Sequence, residues 1–265
     1  MARTCAFCGA HGRLTREHIW PKGIINRVEY GLRFTGQGKV ITGKLTIADV
    51  CRACNNGPLS ALDAYICKLH DEYFHQFHDK GSSVTFHYDW WQLGNWFLKA
   101  FYNAARASGN KTDLVILSRC TDFIRGVDKR QPDFAIWADL TEPSFLAEQS
   151  DSGVYSAKKM RPAMTRFATI TIPDAQLDHY TLRLVAINSF YFYLAIPVQP
   201  YMDPELNELR HICEFFALMA CIDPERNTAT IKTTGLAFHN IIAPHLFQYE
   251  NAYRSAIGPA MPDAD

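Results

Sequence analysis

The sequence lacks any uninterrupted run of about 18 apolar residues, the length that a membrane-spanning helix requires. Its longest apolar stretch, LVAINSFYFYLAIPV at 184–198, is rich in aromatic and β-branched residues, which is typical of buried strands. Residues 1–16 lack an apolar segment followed by a small-residue cleavage site, so we expect no signal peptide. These absences predict a protein that has no membrane partner.

Residues 81–265 also lack the short motifs that identify a reaction. They contain no glycine-rich phosphate loop and no nucleophile elbow. The whole chain contains no internal repeat and no low-complexity segment. Hydrophobic residues make up 48% and charged residues 20% of the 265, the balance of an ordinary globular protein. Length and composition allow one large domain or two modest ones, and any chemical signature has to lie before residue 81.

The eight cysteines divide into two kinds by their spacing. Four form two C-x-x-C pairs, Cys5 with Cys8 and Cys51 with Cys54, and the other four stand alone in apolar surroundings. This usage is typical of a reducing compartment, so we expect a cytoplasmic protein. Each C-x-x-C turn points two thiolates at one spot, and two such turns complete a tetrahedral Zn²⁺ site. The pairs therefore predict structural zinc; two unconnected pairs or a redox dithiol are the alternatives.

The formal net charge of +0 conceals an uneven distribution. Residues 1–60 contain nine Lys and Arg but three Asp and Glu, a formal +6, so the remaining residues carry −6. A basic segment on a slightly acidic body is typical of a protein whose basic part meets a polyanion. The alternative is a chance distribution of solvated charges. We refer to residues 1–80 as the basic head.

Two short segments of the basic head contain residue types suited to phosphodiester cleavage. LTREHIWPK at 14–22 lies between the two cysteine pairs, and CRACNN at 51–56 contains the second pair. If the pairs bind one ion, Glu17 and His18 become neighbours of Asn55. Carboxylate and amide oxygens suit a hard ion such as Mg²⁺, and an imidazole can deprotonate a water. Such an ion offsets charge on the scissile phosphate and the leaving oxygen.

The composite pattern C-x-x-C … L-T-x-E-H-I-x-P … V-C-x-x-C-N resembles the HNH, or ββα-metal (His-Me finger), endonucleases. It is most similar to their zinc-stabilised, endonuclease VII-like branch, over about residues 5–63. The resemblance implies that Glu17 is the carboxylate of a catalytic Mg²⁺ or Mn²⁺ and that His18 is the general base on a β-strand. It also implies that Asn55 is the last residue of the motif and a second ligand of that ion. The four paired cysteines then correspond to structural zinc ligands: Cys5, Cys8, Cys51 and Cys54.

Further residues near the motif are candidates for supporting roles. Asp49 is a loose candidate for the middle position of the motif. Asp63 assists the catalytic metal or, alternatively, only caps or solvates its helix. Arg16, Lys22 and Arg52 flank the motif, so we expect them to contact DNA phosphates, with ordinary surface cations as the alternative.

Periodicity and composition predict mixed secondary structure. Helices are predicted over 58–74, 89–109 and 204–220. Strands are predicted over 114–118, 134–140, 167–172, 181–187, 190–196 and 228–234, with a turn at Asn188-Ser189. HDKGSS at 78–83 is predicted to be a hinge. The expected class is α+β, with a zinc-stabilised ββα-metal (HNH) domain over residues 1–80 and a larger mixed α+β domain over residues 81–265.

The sequence thus predicts a metal-dependent HNH-type endonuclease that hydrolyses DNA, in restriction, phage defence or a mobile element. Residues 81–265 would set the target, form a homodimer or receive an activating partner. A non-catalytic, zinc-dependent DNA-binding protein on the same frame is one alternative. An RNA nuclease is another, because nothing in the basic head selects the sugar.

Overall fold

Helices and strands are mixed in the computed structural model, which confirms the α+β class. It describes residues 4–27, 33–34, 40–41, 46–129, 134–149, 155–160, 162, 165–172, 176–199 and 206–237. The α-helices are α1 Lys22–Ile25, α2 Arg52–Cys54, α3 Ser60–Leu69, α4 Trp90–Ser108, α5 Lys111–Ser118, α6 Thr121–Ile124 and α7 Leu206–Phe215. The strands of the first half are β1 Leu14–His18, β2 Arg33–Phe34, β3 Val40–Ile41, β4 Thr46–Cys51 and β5 Ser83–His87. Those of the second half are β6 Ala135–Glu142, β7 Ser144–Gln149, β8 Tyr155–Met160, β9 Thr165–Ile170, β10 Tyr180–Ile187, β11 Phe190–Pro197, β12 Ala220–Cys221 and β13 Thr228–Ala237.

The basic head consists of an antiparallel strand pair followed by a helical segment. β1 pairs with β4, and the register shifts by one residue between Thr15 and Glu17. From α2 the chain continues through a π-helical turn at Asn55–Leu59 into α3, with a kink at Gly57, and a second π-helical turn ends at Phe74. The predicted strand around His18 and the predicted helix over 58–74 are both confirmed, although the helix is kinked and partly π-helical.

A seven-stranded sheet forms most of the region after residue 80. Its strand order is β5-β13-β6-β11-β10-β9, with β12 also paired to β6. β13 runs parallel to β6, and the other pairs are antiparallel. β10 and β11 form a hairpin across Asn188-Ser189, where Asn188 takes the left-handed conformation at φ +52°. The predicted turn and five of the six predicted strands are confirmed.

The sixth predicted strand, LVILS at 114–118, is wrong because these residues belong to helix α5. The left-handed Gly109, at φ +71°, ends α4, and the side chain of Asn110 then accepts a hydrogen bond from the backbone N–H of Asp113. This N-cap starts a new helix on which Ile116 and Leu117 are buried. Capping and packing against α4 thus outweigh the β propensity of Val and Ile.

Two further predictions differ from the structure in extent. α7 ends at Phe215, and part of the stretch predicted as its end forms β12; residues 204–205 lie outside the described residues. The hairpin of β7 and β8 was not predicted. The predicted hinge at 78–83 contains a turn bonded to the sheet, since the backbone N–H of Gly81 donates to Thr233 Oγ1 at 2.9 Å.

Helix α4 connects the basic head to the sheet through one hydrophobic core. It packs against α3 and β4 of the basic head, and its residue Phe97 contacts Phe192 of β11. Trp20, two residues after His18, stacks on Phe167 of β9 with ring centroids 4.1 Å apart. The core extends from Cys5 to Ile231. The domain boundary at residue 80 stays a prediction. None of the helices in the described ranges is long and apolar enough to cross a membrane.

Candidate functional site

The four paired cysteines converge on one point. Their sulfur atoms all lie within 4.8 Å of one another. The strand pair brings them together, because the backbone N–H of Ala6 donates to the carbonyl of Asp49 at 2.9 Å and Leu14 pairs with Cys51. Four cysteine sulfurs at these separations can hold a metal ion such as zinc, as the spacing predicts.

Backbone N–H groups stabilise thiolates in this cluster. The N–H of Cys51 donates to Cys5 Sγ at 3.3 Å, and the N–H of Cys54 donates to Cys51 Sγ at 3.5 Å. Burial raises the pKa of the Cys5 thiol, but hydrogen bonds from the backbone of Cys51, Cys8 and Phe7 outweigh it and lower that pKa to about 7. Burial raises the pKa of Cys54, so bound metal has to displace its proton.

The carboxylate of Glu17 lies inside the protein, between the basic head and α4. Its side chain is 3% exposed. The Lys99 ammonium lies 2.8 Å from Glu17 Oε1, and Asn103 Nδ2 donates to the same oxygen at 3.3 Å. One residue of β4 is unmatched where β1 passes from Thr15 to Glu17, and such bulges re-aim side chains.

Asp63 shares the ammonium of Lys99. Its Oδ1 lies 2.5 Å from Lys99 Nζ and accepts a hydrogen bond from the Trp96 indole at 3.2 Å. Lys99 is 1% exposed and also donates to the carbonyl of Leu59 at 3.5 Å. The structure therefore places the partly buried Asp63 in an ion pair with the buried Lys99, next to Glu17 through this shared cation.

His18 ends β1, and Asn55 bonds to earlier residues of the same strand. His18 is half-buried at the end of β1, and its carbonyl accepts a hydrogen bond from Asn103 Nδ2 at 3.0 Å. The amide of Asn55 donates to Thr15 Oγ1 at 2.8 Å and to the carbonyl of Arg16 at 2.9 Å. The last residue of the motif is thus bonded to the residue directly before Glu17.

The three cations proposed for phosphate contacts are exposed. Arg16 is on β1, Lys22 begins α1 and Arg52 begins α2. In the part of the chain that the structure describes, none of the three forms an ion pair. Their charges are therefore available to a polyanion, unlike that of Arg27, which pairs with Asp71 at 2.7 Å.

Sequence reasoning missed the polar residues of α4 that contact the motif. Lys99, Asn103 and Arg106 recur at helical spacing on one face of α4. Arg106 Nη1 lies 2.6 Å from Asp49 Oδ1, its Nη2 donates to Asn103 Oδ1, and its guanidinium covers the Tyr102 ring at 4.6 Å. Their spacing of four and three marks a polar face on α4, but it does not indicate that this face contacts Glu17.

The described residues offer ligands for two different metals, and the ligand set for the first is the more complete. Four thiolates suit zinc, and among the described residues the cysteine cluster is the one group of three or more His, Cys, Asp or Glu ligands. Glu17, His18 and Asp63 form no second group of this kind. At Glu17, Lys99 and Asn103 both contact Oε1, and within the described residues Oε2 has no hydrogen-bond partner. One carboxylate oxygen therefore suits a hard divalent ion, and the Asn55 amide oxygen is the second candidate ligand.

The chain was compared with known proteins by sequence and by structure. No protein-family profile, no curated protein and no solved structure matches it.

Proposed function

We propose that the protein is a metal-dependent HNH-type endonuclease that hydrolyses DNA. One observation carries the proposal: the amide of Asn55 is bonded to the backbone of Arg16, 39 residues away, beside Glu17 and His18. Glu17 and His18 lie on β1, and Asn55 lies in the turn after α2 and bonds to the same strand, next to a four-cysteine cluster. The cluster would hold zinc as a structural ion.

Each residue has a distinct role in this proposal. His18 accepts the proton of the attacking water, which raises the nucleophilicity of its oxygen. Glu17 and Asn55 would hold Mg²⁺ or Mn²⁺, which supplies positive charge to the scissile phosphate and the leaving oxygen. Arg16, Lys22 and Arg52 bind phosphates on either side and orient the strand without reading its sequence.

Plasmid nicking tests the proposal. Purified protein is incubated with supercoiled DNA and Mg²⁺ or Mn²⁺, next to His18→Ala and the control His11→Ala, an exposed histidine of the same head. We expect nicking by the wild type and by His11→Ala, and a loss of about 10²- to 10⁴-fold in His18→Ala, the usual contribution of a general base. Equal nicking by all three proteins would contradict the role of His18.

A non-catalytic, zinc-dependent nucleic-acid-binding protein is the second candidate. The burial of Glu17 against Lys99 favours it, because a carboxylate that already has a cation has less need of a metal. In that case the wild type binds DNA without cutting it, and His18→Ala binds with unchanged affinity. An RNA substrate tested in parallel detects an RNA nuclease, because a basic surface binds the phosphates of RNA as well as those of DNA.

A further inference from the structure

We propose that Asn103 of α4 is a positioning residue that fixes Glu17 and His18 relative to each other. The inference rests on the proposed function and adds to it a residue outside the motif and outside residues 1–80. Asn103 is fully buried and bonds to two residues of the basic head.

One amide nitrogen contacts both members of the motif. Asn103 Nδ2 donates to Glu17 Oε1 at 3.3 Å and to the backbone carbonyl of His18 at 3.0 Å. The two acceptors belong to adjacent residues, one through its side chain and one through its main chain. Their bonds to a single rigid group limit the rotation of the Glu17 carboxylate with respect to the strand that carries His18.

The orientation of this amide is itself determined by a neighbouring charge. Arg106 Nη2 donates to Asn103 Oδ1, so the oxygen faces Arg106 and the nitrogen faces Glu17. Arg106 is held by Asp49 Oδ1 at 2.6 Å and by the faces of two aromatic rings. A flipped amide would present its oxygen to the carboxylate and the carbonyl, both of which are acceptors. Asp49 therefore acts on the motif through Arg106 and Asn103.

In this arrangement one oxygen of the Glu17 carboxylate can still bind a metal. Lys99 and Asn103 contact Oε1 and leave Oε2, so one oxygen is anchored while the other is available. The two carboxylates of Glu17 and Asp63 with one ammonium leave a net charge of −1, which attracts a divalent cation. Groups that hydrogen-bond to a metal ligand typically change metal affinity or activity by about 10- to 100-fold.

A purely structural role for Asn103 would lower stability and leave metal affinity unchanged. The experiment therefore measures Mn²⁺ binding to zinc-loaded protein, by the loss of the free Mn²⁺ signal in electron paramagnetic resonance. The variants are Asn103→Leu, which keeps the number and branching of the side-chain heavy atoms, and Asn103→Ala, which avoids overpacking by the larger methyl groups. The matched control is Asn95→Leu, a buried asparagine on the same helix for which the described residues show no bond to the basic head. Glu17→Gln identifies the Mn²⁺ bound at the motif.

We expect both Asn103 variants to weaken the Glu17-dependent Mn²⁺ binding by about 10-fold or more, with zinc content and DNA affinity retained and Asn95→Leu unchanged. In nicking assays we expect kcat to fall while KM is unchanged. Glu17-dependent Mn²⁺ binding of wild-type strength in folded Asn103→Leu or Asn103→Ala would overturn the role of Asn103 and leave the proposed function intact. Wild-type protein without Glu17-dependent Mn²⁺ binding would overturn both.

Discussion

At the scale of single residues, Lys99 is a buried cation of α4 that contacts the basic head. Its ammonium lies within 2.8 Å of Glu17 and within 2.5 Å of Asp63, and hardly any of it reaches solvent. A buried ion pair adds little net stability, but removal of one partner leaves a buried charge without compensation. Loss of this lysine leaves two carboxylates close together.

We predict that Lys99→Met destabilises the protein by about 3–5 kcal/mol at neutral pH, because both carboxylates lose their cation. Chemical denaturation monitored by circular dichroism measures the change. The control is Lys68→Met, whose ion pair with Glu72 is exposed and spans 3.7 Å, so we expect a loss of about 0–1 kcal/mol. A Lys99→Met protein as stable as Lys68→Met would mean that Glu17 and Asp63 do not depend on the ammonium.

The stability of the protein is expected to depend on pH through a single residue, Asp139. It is fully buried on β6, and burial raises its pKa to about 6, against the lowering effect of the hydrogen bond from Thr234 Oγ1 at 2.7 Å. A carboxyl whose pKa is higher in the folded state stabilises the fold at low pH. That stability is lost as the pH rises through the window from about 4 to about 6.

We expect the free energy of unfolding of the wild type to fall relative to Asp139→Asn by about 2–3 kcal/mol across this window. Urea denaturation at several pH values measures the difference. Asp122→Asn, at an exposed carboxylate paired with Arg125, is the control and should give no such trend. If the free energies of unfolding of the wild type and of Asp139→Asn changed in parallel with pH, burial would not raise the pKa of Asp139.

At the scale of secondary-structure elements, helix α5 shows where sequence reasoning fails. Its LVILS segment has strand-forming residues, and what makes it helical is the cap at Asn110 and the packing of Ile116 and Leu117. The hairpin of β10 and β11 was predictable, because strand composition and the turn at Asn188-Ser189 agree. Local patterns predict an element when its neighbours do not alter the preference, and they fail when capping and packing decide.

We predict that Asn110→Ala destabilises the protein by about 1 kcal/mol, because the N–H of Asp113 loses its cap. Thr112→Ala is the control in the same helix, at an exposed position that caps nothing, and is expected to be neutral within about 0.5 kcal/mol. Thermal unfolding of the three proteins compares the effects. An Asn110→Ala protein with unchanged stability would mean that tertiary packing alone holds α5 in place.

The candidate site was predictable in part for a similar reason. The cysteine cluster was predictable because each C-x-x-C turn is a local feature of the sequence. Only the contact between the two turns depends on the fold. The surroundings of Glu17 were not predictable, because Lys99 and Asn103 come from a helix more than 80 residues away in sequence. Contacts of this kind depend on how α4 packs against the basic head, and the spacing of a sequence motif carries no information about that packing.

At the scale of the whole molecule, the cysteine cluster is expected to hold the basic head together. The described part of the head has few long strands, and β1 and β4 meet at Cys51. Metal binding to such sites is coupled to folding. We predict about one zinc per chain and, in Cys54→Ser, loss of the zinc together with a lower unfolding temperature. Metal analysis and calorimetry measure both.

The control is Cys213→Ser, at an exposed cysteine of α7 outside the cluster, which should keep zinc and stability. Chelator treatment of the wild type should reproduce the effect of Cys54→Ser. Full stability of the chelated, zinc-free protein would show that the hydrophobic core shared with α4 suffices to fold the basic head.

Helix α4 has a consequence for attempts to exchange this segment between proteins. Its residues Lys99 and Asn103 contact the motif, and its residue Phe97 contacts the sheet. The same helix is therefore part of both the candidate site and the core against the sheet. A transplanted segment that ends at residue 80 would contain the cysteines and the Glu17-His18 pair but would lack Lys99 and Asn103, which contact that pair. The smallest transplantable unit therefore extends through Ser108, and a host scaffold would have to offer this helix an apolar surface to lie on.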